Sequence, residues 1–163
     1  MATNTESATS QKTVSIERTF DLPAKKLWQA WAEPESCKKW WGPKDFTCPH
    51  CNIDFKVGGK YLNCMRSSEG AEFWSTGVYK EIIPGKKIVF TDSFSDKNGN
   101  AIPASDLNMP GYWPMELLVT VTFEEIGGKT KMNLQQVGVP QEMYDECIKG
   151  WNECFDKLEE NMK

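Results

Sequence analysis

Apolar and polar residues alternate at period two through most of the chain, and the spacing changes to three-and-four only near its end. Val14, Ile16 and Phe20 with Arg18 between them predict an opening strand over 13–20. Further strands are predicted over 46–55, 60–65, 72–83, 87–94, 115–126 and 129–137, with turn signals at Gly58-Gly59, Pro84-Gly85 and Gly127-Gly128. The last hairpin can be registered on paper, because a Gly-Gly loop favours a two-residue primed turn. Pairing Ile126 with Lys129 sets Phe123 opposite Met132 and Val121 opposite Leu134 on one face, and Glu124 opposite Lys131 on the other. Beyond Pro140, the residues Tyr144, Cys147, Ile148, Trp151, Cys154, Phe155, Leu158 and Met162 fall on one face of a long amphipathic helix. Gly150 interrupts it at a cost of ~1 kcal/mol relative to Ala, which predicts close approach by another element.

Two short helices fill the gap after the first strand. Pro23 suits an N-terminal helix position, and Leu27, Trp28, Ala30, Trp31 and Ala32 give the segment its apolar bulk. Pro34 ends that helix and begins a shorter one that runs to Trp40. Trp40-Trp41-Gly42-Pro43 then stops the helix with Gly and Pro while two indoles lock a corner. The resulting order predicts an α+β fold: a curved antiparallel sheet, with two short helices, wrapped around a long C-terminal helix. A cavity between sheet and helix is a natural by-product of that geometry.

At 163 residues the chain is long enough for one core without staples, read as a disordered tail over 1–12 and one domain over 13–163. A net charge of -4 offers no basic footprint, which argues against nucleic acid and anionic membrane surfaces as partners. No apolar run approaches the ~20 residues of a membrane span, and 1–12 lack the apolar segment of a signal peptide. A cytoplasmic location is the expectation.

Taken together, Trp40-Trp41-Gly42-Pro43, Phe46-Thr47, Asp54 with Gly58-Gly59, Gly77-x-Tyr79-x-Glu81-Ile82, Val89-Phe90-Thr91, Met109-Pro110, Trp113-Pro114, 119–123 and Gly150-Trp151 form an ordered set. The set resembles the activator of heat-shock-protein-90 ATPase homologue-like (AHSA-type) domains, within the START-like, polyketide-cyclase-like (SRPBCC) helix-grip superfamily. The resemblance implies the helix-grip fold with a deep, largely apolar cavity. It does not imply one activity, since members bind lipids or hormones, cyclise polyketides, hydrolyse or dock on chaperones, and no catalytic residue carries across.

Candidate chemistry is sparse. Cys48-Pro49-His50-Cys51 has the two-residue spacer of zinc and redox sites, but it lies in a predicted strand whose alternation sends Cys48 and Cys51 to opposite faces. A turn at Val57-Gly58 would set Cys51 opposite Cys64, open to a disulfide or metal pair; a turn at Gly58-Gly59 would set Arg66 there. His50, the one histidine, reads as a strand-surface residue, and no metal or cofactor is expected. Asp92 places an acid on the apolar face of Ile88, Phe90 and Phe94, and Gln136 extends the inner face of Val119, Val121 and Leu134. Met65, Trp74, Phe94, Met115 and Trp151 are the expected apolar lining. Tyr112 and Trp113 sit in a long connection after Asp96 and are expected to cover the cavity mouth. These readings point to a binder of a small hydrophobic or aromatic ligand. The alternatives are a chaperone-associated interaction protein and a cavity enzyme (cyclase, hydrolase or dehydratase) using Asp92; a homodimer is also allowed for.

Overall fold

The computed structural model describes residues 11–162. Seven strands, β1 (Gln11–Phe20), β2 (Thr47–Ile53), β3 (Lys60–Arg66), β4 (Glu72–Ile83), β5 (Lys87–Ser95), β6 (Leu117–Ile126) and β7 (Lys129–Pro140), form one antiparallel sheet in the order β1-β7-β6-β5-β4-β3-β2. Helices α1 (Ala24–Ala32) and α2 (Pro34–Cys37) bridge β1 and β2, and α3 (Tyr144–Asn161) ends the fold. This is the α+β helix-grip architecture expected from the pattern. Of the expected tail, residues 1–10 lie outside the described residues, while Gln11 and Lys12 belong to β1.

The β6–β7 register is the one read from sequence: Ile126 faces Lys129, Phe123 faces Met132, Val121 faces Leu134 and Glu124 faces Lys131. The β2–β3 hairpin departs from both expected turns. Asp54 and Gly59 hold a longer connection, closed by Asp54 N–H to Lys60 O and tied to β4 through Gly58 N–H to Tyr79 O and Tyr79 N–H to Gly59 O. Cys51 therefore faces Asn63, and Cys64 faces His50.

Cys48 and Cys51 are both buried, against the expectation of opposite faces. The register shifts between Thr47 and His50. A bulge carrying Pro49 there adds one residue and returns Cys51 to the face of Cys48.

The core lies between sheet and α3. Phe155 is fully buried, meeting Phe20 edge-on at 5.9 Å and stacking on Trp151 at 5.7 Å. Each large side chain so buried contributes ~1.5–3 kcal/mol before ordering entropy is charged against it. Arg18 of β1 fastens the outer side of α3, donating to Asp156 Oδ1 at 2.7 Å and to Asn152 O at 3.3 Å. From the same half of the helix, Lys157 Nζ donates to Phe46 O at 3.0 Å and Pro43 O at 3.3 Å, and Asn161 Nδ2 donates to Lys39 O.

The Trp40-Trp41-Gly42-Pro43 corner is thus pinned to the helix. Trp40 is fully buried and donates its indole N–H to Ala30 O at 2.8 Å, so the polar edge of a core indole is satisfied by α1. Gly42, at φ +102°, sits where a Cβ would press on Phe46 and Met65.

Candidate functional site

Sheet and α3 separate beside Trp41 and leave a cavity of about 450 Å³. Its walls come from the corner (Trp41, Gly42, Pro43, Phe46), from β3 to β5 (Met65, Phe73, Trp74, Phe94), from the 96–116 connection (Met109, Trp113) and from α3 (Cys147, Gly150, Trp151, Cys154). Of the residues expected to line it, Met65, Trp74, Asp92, Phe94, Trp113, Gln136 and Trp151 do.

Tyr112 and Met115 do not line the cavity, at 60% and 50% exposure. Gly111, at φ +87°, packs tightly on Pro140, and Trp113 donates its indole N–H to Pro110 O at 2.9 Å while meeting Phe94 edge-on. That turn seats Trp113 in the wall and leaves Tyr112 outside. Met115 continues the apolar alternation of β6, yet the strand begins only at Leu117, which pairs with Asp92, so Met115 never joins the sheet.

Gly150 also departs from expectation. A Cβ there would meet nothing within 4 Å, so no element packs against the helix at that point. The missing side chain widens the cavity instead.

Four polar side chains form a connected group at this apolar chamber, with Asp92, Gln136 and Trp151 in its wall and Tyr61 behind Asp92. Asp92 projects from β5, and Tyr61 of β3 donates its hydroxyl to Asp92 Oδ1 at 2.9 Å, with Thr91 O as a second acceptor at 3.1 Å. Trp151 donates its indole N–H to Gln136 Oε1 at 2.8 Å. Because an indole nitrogen can only donate, that contact fixes the Gln136 amide and turns its Nε2 toward Asp92 Oδ2, a long contact at 3.5 Å. Asp92 is half-buried and lines the cavity.

Burial pushes the Asp92 carboxyl up from an ordinary 3.8 to about 6, with the Tyr61 hydrogen bond opposing part of the rise. Burial first, and the neighbouring Asp92 charge second, push the Tyr61 hydroxyl well above 10 and the Cys147 thiol to about 11. The network suits either state of Asp92. Ionised, the carboxylate accepts from Tyr61; protonated, it donates to the Tyr61 oxygen while Tyr61 donates to Thr91 O.

Tyr61 was not among the residues the sequence singled out. It faces Gly77 across β3 and β4. A Cβ on Gly77 would lie 1.8 Å from Thr91 O and 2.7 Å from the Tyr61 ring. Only a bare backbone lets the ring cross β4 and reach β5.

The thiols form a separate group. Hydrogen bonding to Cys37, with burial, pushes the Cys51 thiol far up, and hydrogen bonding to Cys51, with burial, does the same to Cys48. All six cysteines are free, and the raised Cys48 and Cys51 thiols are poor nucleophiles. Among the described residues no cluster of three or more His, Cys, Asp and Glu could hold a metal ion. His50 is exposed on β2, its ring 5.3 Å from that of Trp74.

The family model for Activator of Hsp90 ATPase homolog 1-like protein matches residues 21–163, from the end of β1 through α3. The chain belongs to this family. Solved structures of bacterial proteins repeat the same architecture as this Activator of Hsp90 ATPase homolog 1-like chain. A Chromobacterium violaceum protein is 24% identical with a TM-score of 0.75, the alignment covering 92% of this chain and 96% of that one. The AHSA1 protein of Silicibacter pomeroyi is 20% identical with a TM-score of 0.75, covering 93% and 97%. A Nitrosomonas europaea protein is 21% identical with a TM-score of 0.72, covering 91% and 92%. At this identity the likeness is one of fold. No match was found among curated proteins. Among the described residues, no helix of this family member is long and apolar enough to cross a membrane.

Proposed function

We propose that this Activator of Hsp90 ATPase homolog 1-like chain binds a small hydrophobic or aromatic molecule in the cavity between sheet and α3. The observation that carries the reading is a chamber of about 450 Å³ whose apolar walls converge on the Asp92, Gln136, Tyr61 and Trp151 network. Apolar walls with a few placed polar groups are what small-molecule sites require. Six free thiols, five of them buried, fit the cytoplasmic location expected from the sequence.

Native mass spectrometry of freshly purified protein, compared with its denatured mass, is the direct test. A retained small molecule is the expected result, and the same spectrum reads a homodimer. A fluorescent apolar probe provides the second arm, with Gly150→Phe chosen to fill the chamber from a position where a side chain meets no neighbour. The wild type should bind the probe and the variant should not. Equal binding by both would place the probe elsewhere and remove the support for the cavity.

A second reading, a cavity enzyme, is favoured by one observation: a carboxyl near neutrality in an open chamber, hydrogen-bonded to a tyrosine. Asp92 would exchange a proton with the bound molecule. Turnover of a bound ligand that stops in Asp92→Asn while binding persists would select it over simple binding. The chaperone-associated role rests on the family's description and on no feature of the cavity. It predicts stimulation of a chaperone ATPase, and a lack of stimulation would end it.

A further inference from the structure

Resting on the cavity-binding reading, we infer that the occupant is a hydrophobic amine, an aromatic body bearing one protonated nitrogen that docks against Asp92. Three observations lead there. The first is the sign of the charge. Asp92 and Glu146 line the chamber, and among the described residues no Lys, Arg or His lines it. A ligand carboxylate would meet like charge among apolar walls with no cation to offset it, which discriminates against acids.

The second observation is that Asp92 lacks a counter-charge. Among the described residues Asp92 makes no ion pair: every salt bridge involves other acids. Buried charges in proteins are paired or neutralised. The groups that face this carboxylate are Tyr61 from β3, Gln136 from β7, and Trp151 and Cys147 from α3, none of them cationic. Tyr61 and Gln136 occupy two acceptor positions of a carboxylate that has about four. The remaining ones are open to the chamber, where a protonated nitrogen supplies both the hydrogen and the charge.

The third observation is the wall. Trp41, Trp74, Trp113 and Trp151 line the space, and a cation placed over an aromatic ring is attracted to its π face. Trp151 also spends its N–H on Gln136, so its contribution to a ligand is its ring and not its donor. Ser75 and Ser93 line the same chamber and can donate or accept, which serves a second polar group without altering the preference for a cation.

The experiment uses three molecules with one apolar body, naphthylethylamine, naphthylethanol and naphthylacetate, titrated calorimetrically into the full chain at neutral pH. The amine should bind about tenfold or more tighter than the alcohol, as a charge-assisted hydrogen bond provides, with the acid weakest. Asp92→Asn should remove the amine's advantage over the alcohol, and a cooperative thermal unfolding transition with an unchanged far-ultraviolet spectrum shows that the variant is folded. Lowering the pH through about 6 should narrow the preference in the wild type, as the carboxyl takes up its proton and the amine keeps its own. An acid or alcohol that binds as tightly as the amine, or an amine preference that survives Asp92→Asn, overturns the inference and leaves the cavity reading standing. Failure of all three to bind, or to displace an apolar fluorescent probe, defeats the cavity reading and this inference with it.

Discussion

Replacing Asp92 with Asn tests whether the chamber imposes its cost on the carboxyl. The native state raises this group from 3.8 to about 6, roughly two pKa units, and each unit corresponds to ~1.4 kcal/mol. The upper bound is therefore ~3 kcal/mol, and contact with the open chamber brings the expected effect to ~1–3 kcal/mol. Between about 3.8 and 6 the native protein holds more protons than the unfolded chain, so this group makes stability fall as pH rises through that window, with no further change above it. Asparagine carries no such penalty, although it loses an acceptor for Gln136 and with it a pH-independent ~1 kcal/mol. The stability of the variant minus that of the wild type should thus be lowest in acid, climb as pH rises to about 6, and level off. Urea denaturation followed by tryptophan fluorescence at a series of pH values measures that difference, and titrations common to both proteins cancel. A difference that stays flat with pH, or one that falls as pH rises, would refute the argument.

Gly150→Ala should raise stability by ~0.5–1 kcal/mol, visible calorimetrically as a Tm increase of about 1–4 °C, because the new methyl meets nothing and the helix gains propensity; a loss would mean the position is crowded after all. Gly77→Ala should cost more than ~3 kcal/mol, since the added carbon collides with Thr91 O and displaces Tyr61, and an unaltered denaturation midpoint would contradict that. Among the described residues Trp31 Nε1 and Asn63 Oδ1 have no hydrogen-bond partner, and both residues line a second cavity of about 20 Å³, room for one water. A high-resolution crystal structure should place one ordered water within hydrogen-bonding distance of both atoms, and a dry, closed cavity there would refute the bridge.

The architecture could be read from sequence where side-chain period and turn chemistry agreed. Gly127-Gly128 fixed one register because apolar and charged pairs matched on opposite faces at once. The same alternation projected Asp92 and Gln136 inward. It failed at Pro49, where a bulge added a residue and put Cys48 and Cys51 on one face, and at the β2–β3 turn, which is longer because its backbone bonds to Tyr79 of a third strand. Non-local contacts of that sort leave no local trace. Tyr61 was missed for a related reason: its role comes from a glycine opposite it and an acid one strand further on, and only the pairing of Tyr61 with Gly77 exposes it. The 96–116 connection carries no period at all, so its sequence could nominate Tyr112 and Trp113 but could not say which one turns inward.

The pairing of β1 with β7 sets a timetable for folding. β1 leaves the ribosome well before its hydrogen-bonding neighbour β7, and Arg18 finds Asp156 across 138 positions. Loops that large close late and slowly, and proteins dominated by such contacts fold in milliseconds to seconds. Until β7 and α3 are synthesised, the apolar face of β1, with Val14, Ile16 and Phe20, has nothing to cover it. A nascent chain arrested before Lys129 should therefore be open to proteolysis from β1 through β6, whereas a chain that includes β7 and α3 should become resistant over these strands in one concerted step.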